Sequence, residues 1–279
     1  MSGEWYHQRY GIEAPAEWLG HDIVEEHPAL ATIAARRTHR QYAAKPVPPA
    51  TIDQLLDIAF AAPSKSDFQQ ATVIRVADAA KRASIAALVP GMPWIGTAPI
   101  FLVFCADARR LERIGELREK RRPNRNLESF FNASIDAALV LQTFMLAAEH
   151  AGLGCCPISA LRNSLDQVSE ILALPGAVIP IAGMTVGYPV TDGHISMRLP
   201  PVLTRHVDVY AEDALPQAID EYDQRRECRH ATPREKQRDA IRFGYSDAYG
   251  WSEDKARHAM AGEGDGFGAM VRASGFKLD

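Results

Sequence analysis

The chain lacks most of the features that announce a role. It has no charge excess: Lys+Arg 31 against Asp+Glu 35 leaves −4 over 279 residues. That field is too weak to draw in DNA, RNA or anionic lipid, so neither a nucleic-acid nor a membrane partner is expected. No secretory leader is expected. Residues 1–20 carry Trp5, His7, Arg9, Glu13 and Glu17 and no hydrophobic run of the signal-peptide kind. The most apolar windows, 98–106 and 137–148, fall short of the roughly 20 residues a membrane helix needs. Cysteine is scarce. Cys105, Cys155, Cys156 and Cys228 offer no C-x-x-C spacing for zinc, and neighbours such as Cys155 and Cys156 rarely bridge each other. Reduced thiols in a cytoplasmic protein are therefore expected, with no metal site. Catalytic signatures are missing too: there is no G-x-S-x-G, H-E-x-x-H or G-x-x-x-x-G-K-[ST]. Gly152-x-Gly154 follows a helix rather than a strand, and the alternating glycines at 262–268 lack a preceding apolar strand. No repeat or low-complexity tract is visible.

What is present is an ordinary globular composition, 47% hydrophobic and 24% charged, sufficient to bury a core as one large domain or two small ones. Residues 1–30 have no clear periodicity and read as an arm that packs on something else. Helices are expected over 28–37, over 52–62 with Thr51 as N-cap, over 78–88 and over 164–172 with Asn163 or Ser164 as cap. Strands are expected over 72–77, 100–106, 155–158 and 178–186, and the continuous apolar run 100–106 suits a strand buried on both faces. The longest helical pattern, 127–151, is apolar on nearly every side at its centre, which places it inside the protein or in a subunit interface. Gly152 and Gly154 are read as its C-cap. Strands and helices interleave, so the middle of the chain is an α+β or α/β layered domain. From residue 205 the chain turns polar and helical, and a short last helix follows the glycine-rich loop.

Three local clusters carry chemical interest. Arg36-Arg37-Thr38-His39-Arg40 gathers three guanidiniums and a hydroxyl within five residues, suited to bidentate phosphate binding or to a solvated basic turn. The stretch 61–69, with Ser64, Lys65, Ser66 and Gln69 after Pro63, offers hydroxyls and an amide for a polyol or a ring edge; alone it is a polar loop. The stretch 152–162 leads from a tight turn to a strand end whose backbone amides can face a ligand. The basic segment 109–125 reads as a solvated helix and loop.

In order and spacing, these clusters resemble the FMN-dependent nitroreductase family, most closely its branch of larger NADPH-dependent nitroreductases and flavin reductases. The resemblance is carried by R-R-T-H-R at 36–40, P-V-P-P at 46–49, A-P-S-K-S-D-F-Q at 62–69 and I-F-L-V-F-C-A-D at 100–107. It continues through A-A-E-H-A-G-L-G at 147–154, P-I-S-A-L-R-N at 157–163, V-G-Y-P at 186–189 and M-R-L-P-P at 197–201.

The resemblance implies an α+β fold with a central, mostly antiparallel sheet flanked by helices, assembled as an intertwined homodimer with FMN at the interface. It divides the chain into an arm (1–30), an FMN-binding core (31–210) and a helical C-terminal extension (211–279). It implies that Arg36, Arg37, Thr38, His39 and Arg40 hold the FMN phosphate and ribityl chain, with Arg198 closing on the same phosphate. Ser64, Lys65, Ser66 and Gln69 would approach the ribityl chain or ring edge. The backbone of Pro157, Ile158, Ser159 and Ala160 would cover a ring face.

Two positions depart from that branch: Met92 stands where it often has Gln, and Ser196 where it has Lys, a loss for which Arg36 compensates. Trp94, Glu128 and Arg162 are candidates for substrate contacts. Arg225, Arg226 and Arg229 are candidates for the NADPH 2′-phosphate, with 109–125 as the alternative basic site. The implied reaction passes electrons from NADPH, or NADH, through flavin N5 to a nitroaromatic, a quinone or a similar acceptor. Because the flavin carries the hard step, no catalytic side chain is nominated. Flavin reduction for a partner, and a flavin-binding sensor or store without turnover, are the competing readings.

Overall fold

The computed structural model describes residues 3–18, 22–120, 125–262 and 264–278. Three short helices come first: α1 (Glu4–Tyr10), α2 (Ile23–Glu26) and α3 (Pro28–Ala34). Next come α4 (Pro49–Ala59), β1 (Ala71–Arg75), α5 (Ala79–Ala87), α6 (Trp94–Thr97), β2 (Ile100–Asp107) and α7 (Arg109–Leu117). The long α8 (Leu127–His150) precedes β3 (Gly154–Ile158), α9 (Leu165–Ile171) and β4 (Val178–Gly187). The chain closes with α10 (Leu215–His230), α11 (Ala240–Phe243), α12 (Trp251–Ala259) and α13 (Phe267–Ala273). It divides into two units, Arg37–His194 with Gly264–Asp279 and Met1–Arg36 with Ile195–Glu263.

The Arg37–His194 unit holds a four-stranded sheet in the order β1-β2-β4-β3, with every pairing antiparallel. Helices cover both faces, so the expected α+β class is what forms. Alternate residues of β2 explain its unbroken apolar run. Leu102 and Phe104 pack with Ile52, Ala137 and Phe144 from α4 and α8 on one face. Phe101, Val103 and Cys105 pack with Ile85, Ile95 and Val168 on the other. A smaller cluster seats Val271 of α13 and Phe276 against Leu165 and Ile179.

Local chemistry sets several boundaries. Asp78 caps α5 by accepting from Lys81 N, and Asn126 caps α8 by accepting from Ser129 N. α4 starts earlier than expected, at Pro49, so Thr51 lies inside its first turn and is not a cap; proline fits there because the first helical N–H has no partner to lose. α3 stops at Ala34 rather than 37, because the chain must extend so that His39 N can reach Cys155 O at 3.0 Å. Ser164 holds the cap position of α9 without a side-chain bond, and Asn163 belongs to a 3₁₀ turn before it. Gly152, at φ +76°, ends α8 as expected. Gly154 is no cap: it opens β3, and a Cβ there would sit 2.8 Å from the Cβ and Cγ of His39.

α8 is the helix expected over 127–151, one residue shorter, but its apolar stretch extends beyond the 137–148 window. Among the described residues it is the helix long and apolar enough to cross a membrane, although α4 and the sheet pack against it. Its exposed side carries Leu127, Phe131 and Ile135, the last two 61% and 40% exposed. That stripe follows helical spacing and is left exposed among the described residues.

The Met1–Arg36 unit gives the N-terminal arm packing of its own. Asp22 accepts from Gly3 N and Trp5 Nε1, while Trp5, Tyr6 and Trp18 stack or meet edge to face. Arg229 of α10 donates to the carbonyls of His7 and Gln8, covering the C-terminal end of α1 with a cation. α10 and α12 are tied by Tyr222 against Trp251 and by Asp223 accepting from Ser252 N. The buried Arg257 donates to Arg238 O and Gly244 O and lies over the rings of Phe243 and Tyr249.

Candidate functional site

The expected site residues separate into three groups. The first surrounds the residues that follow Arg36. Arg37 donates to Asp192 O at 3.0 Å, and Tyr42 lies between His39 O and Thr185, 2.6 Å and 2.8 Å away. Burial pushes the Tyr42 phenol well above its ordinary value despite the hydrogen bond to Thr185, so it stays a neutral donor. The Arg40 guanidinium lies over the Trp94 ring at 5.5 Å, and Trp94 Nε1 is buried with no hydrogen-bond partner among the described residues. Met92, Trp94, Ile158 and Ala160 pack on one hydrophobic cluster, so the expected ring-edge, acceptor-pocket and ring-face positions are brought together. Pro157 is paired with Met184 in the sheet, and Ser159 O accepts from Arg162 N. Arg162 turns inward to donate to Ile181 O at 2.9 Å, which makes it a brace of β4.

The second group is the 64–69 loop. Ser66, Asp67 and Gln69 all have positive φ, a conformation non-glycine residues adopt only when something holds them. What holds them is Asp136. Its carboxylate, 2% exposed on α8, accepts from Ser64 Oγ at 2.6 Å, Lys65 N at 3.0 Å and Gln70 N at 3.0 Å. Ser64 Oγ accepts in turn from Gln69 N. Arg110 grips the loop's other side, reaching Gln69 O, Ala71 O and Thr72 Oγ1. Part of the basic segment therefore works within the chain: Arg113 pairs with Glu116 and Arg125 with Glu112. Arg121 and Arg122 lie outside the described residues. Glu128 sits exposed in the first turn of α8.

The residues that follow Arg36 and the 64–69 loop are at opposite ends of the sheet. Ala71, just past the loop, pairs with Ala106 and through it with Ile179, whereas Gly154, under His39, pairs with Gly187. Eight residues of β4 separate those rungs, about 26 Å at ~3.3 Å per residue. One chain does not bring them to a common small ligand.

The third group belongs to the other unit. Arg9, nearly buried, donates to Ala34 O at 2.7 Å, Arg36 O at 2.9 Å and Ser196 O at 2.9 Å, and Arg198 N donates back to Arg9 O at 2.8 Å. It thereby fastens the Arg36 and Ser196–Arg198 segments together. The guanidinium of Arg198 is exposed and makes only long bonds, 3.4–3.5 Å, to nearby carbonyls. Arg225 pairs with Glu221, Arg226 donates to Tyr222 Oη, and Arg229 serves α1.

Asp136, Arg9 and Arg110 escaped the reading of the sequence. Asp136 had a signal, a carboxylate directly before the apolar centre of the helix and well inside Glu128 and Glu149 near its ends. Arg9 had none, because its partners lie 25 to 187 residues away. Among the described residues no cluster of metal-ligating side chains occurs.

The sequence pattern of the nitroreductase family matches residues 33–188. The chain is 35% identical over 198 residues to the Bacillus subtilis protein named FMN reductase [NAD(P)H], covering 70% of this chain and 80% of that protein. It is 31% identical to the oxygen-insensitive NADPH nitroreductase of Salmonella typhimurium, covering 66% and 75%. The structure of the NADPH:FMN oxidoreductase of Vibrio harveyi in complex with NAD+ superposes with a TM-score of 0.78 at 26% identity, over 90% of this chain and 99% of that one. The pattern spans more than half of the chain and the whole sheet: the chain belongs to the nitroreductase family.

Proposed function

We propose that this chain is an FMN-dependent oxidoreductase that takes electrons from NADPH, in preference to NADH, and passes them to nitroaromatics, quinones or similar electron-poor acceptors in a ping-pong cycle. The observation that carries this reading is the group around Arg40. A cation lies over an indole whose buried N–H has no partner among the described residues, beside an apolar wall ending in the β3 backbone. A buried donor without an acceptor is costly unless a ligand completes it. These features fit a planar, amide-edged ring with an anionic tail, as FMN has.

The chemistry FMN supplies when bound is hydride uptake at N5 and onward transfer to an acceptor, so the protein needs no nucleophile or general base of its own. The chain's residues bind and orient. Arg37, Thr38 and Arg40 supply donors for the anionic tail. Pro157 to Ala160 present backbone to a ring face, with Met92 and Trp94 as apolar wall. Arg162, bonded to Ile181 O, keeps that segment in place.

The second half of each site is proposed to come from a second copy. The 64–69 loop is held in a strained shape by Asp136, yet lies at the far end of the sheet from Arg40. The uncovered stripe of Leu127, Phe131 and Ile135 on α8 supplies the apolar surface a homodimer needs. In that dimer Ser64, Lys65, Ser66 and Gln69 of one protomer face the flavin held mainly by its partner. A cytoplasmic setting suits the reduced thiols of Cys105, Cys155 and Cys156, none of which is in a disulfide.

NADPH preference rests on the basic surface of α10, where Arg225, Arg226 and Arg229 each already hold an internal partner. Steady-state comparison of the two nucleotides tests it, and equal kcat/KM values would remove the claim. Flavin reduction for a partner is a second reading, supported by the name of the Bacillus subtilis relative. The purified protein should be yellow and release one FMN per chain on denaturation. A colourless protein that no FMN restores would defeat the proposal.

A further inference from the structure

The Met1–Arg36 unit with Ile195–Glu263 contains a cavity of about 410 Å³. That volume lies within the range of small-molecule sites. Three aromatic side chains line it, Tyr10 from α1, Tyr222 from α10 and Trp251 from α12, together with Met197, Arg198 and Thr204. No carboxylate lines it among the described residues, and Arg198 is the cation that does.

The cavity is built by specific contacts. Tyr222 is 1% exposed and donates to Met197 O, and Trp251 meets its ring edge to face at 5.4 Å. Arg9 fixes the backbone on either side of Arg198, through Ser196 O and Arg198 N. Met197 enters because residue 11 is glycine: a Cβ there would stand 2.7 Å from the Met197 methyl, and φ is +72°. The N-terminal arm thus supplies one wall, Tyr10, and holds the segment that carries the cation.

We propose that this cavity is a binding site for a planar aromatic ring bearing a carboxylate or phosphate. Aromatic walls favour a flat π face. The guanidinium fork pairs bidentately with a planar anion and has five donors, enough to serve a second anion as well. Thr204 adds a hydroxyl at the rim. Its lining residues all belong to the Met1–Arg36 and Ile195–Glu263 unit, and Arg198, expected from the sequence to close on the FMN phosphate, is the residue the two readings share.

Calorimetric titration of the purified full-length protein with benzoate tests the proposal, with cyclohexanecarboxylate as a probe of equal charge and no π face. Benzoate should bind one per chain, several-fold more tightly than cyclohexanecarboxylate, without moving the visible flavin spectrum. Tyr10→Leu should weaken benzoate about tenfold, the scale of one aromatic contact, while flavin content and melting temperature stay as in the wild type. If Tyr10→Leu does not fold, Thr204→Val serves in its place, with an expected loss of about fivefold for one hydrogen bond. Absence of benzoate binding, equal binding of the two carboxylates, or undiminished binding by the folded variant each overturns the proposal. FMN content reports on the flavin reading separately.

Discussion

Replacing Asp136 by Asn tests how the 64–69 loop is held. The carboxylate accepts three bonds, two of them, from Ser64 Oγ and Gln70 N, at the same oxygen. Asn keeps one acceptor and turns an NH2 toward groups that themselves need acceptors. Hydrogen bonds to a charged group are worth about 1.5–3 kcal/mol, and a buried donor left without a partner costs about 1–3 kcal/mol. The same carboxylate holds three non-glycine residues at positive φ, which relax once released. Together these give an expected loss of about 3 kcal/mol in the local stability of the loop. Native-state hydrogen exchange reads it directly: the Gln70 amide should exchange about 150-fold faster, at ~1.4 kcal/mol per tenfold. Amides of Phe104 and Val103, in the sheet, should change far less. An acceleration of Gln70 below about fivefold would refute the view that Asp136 holds the loop.

Other consequences are as specific. Native protein should expose one reactive thiol, Cys228, to a disulfide reagent and four after denaturation, because Cys105, Cys155 and Cys156 are buried; Cys228→Ser should expose none. Burial, and then Asp107, push the Cys105 thiol from 9.0 up to about 12. Above pH 9 the unfolded chain therefore releases a proton that the folded chain keeps. Cys105 should contribute no pH dependence below pH 9 and a fall of ~1.4 kcal/mol per pH unit from there toward 12, with the buried Tyr42 adding its own fall above pH 10. Cys105→Ala should shallow the fall between 9 and 10 in a pH series of urea titrations. Phe131→Asp should convert a dimer into monomers in sedimentation equilibrium. One buried aromatic anchor carries ~2 kcal/mol, and two-fold symmetry counts it twice; an unchanged mass would place the interface elsewhere.

The parts of this fold legible in the sequence are those where local pattern and burial agree. The apolar run of β2 is continuous because its two faces meet different helices, and the centre of α8 is apolar because the sheet and α4 cover it. Gly154 was misread because a glycine after a helix suggests a cap, whereas here it clears space for His39, which lies 115 residues earlier. Arg9 and Arg110 were opaque for the same reason: an arginine's sequence neighbours do not show which distant carbonyls it will gather. Arg40 and Ser64 look like neighbours in one site when read along the chain. Strand register places them far apart, which only the paired structure reveals.

The central claim is electron transfer through bound FMN. Anaerobic mixing of the yellow protein with NADPH should bleach its absorbance near 450 nm, and adding a nitroarene should restore it, with one NADPH oxidised per flavin reduced. A bound flavin that stays yellow under excess NADPH and NADH would contradict the account.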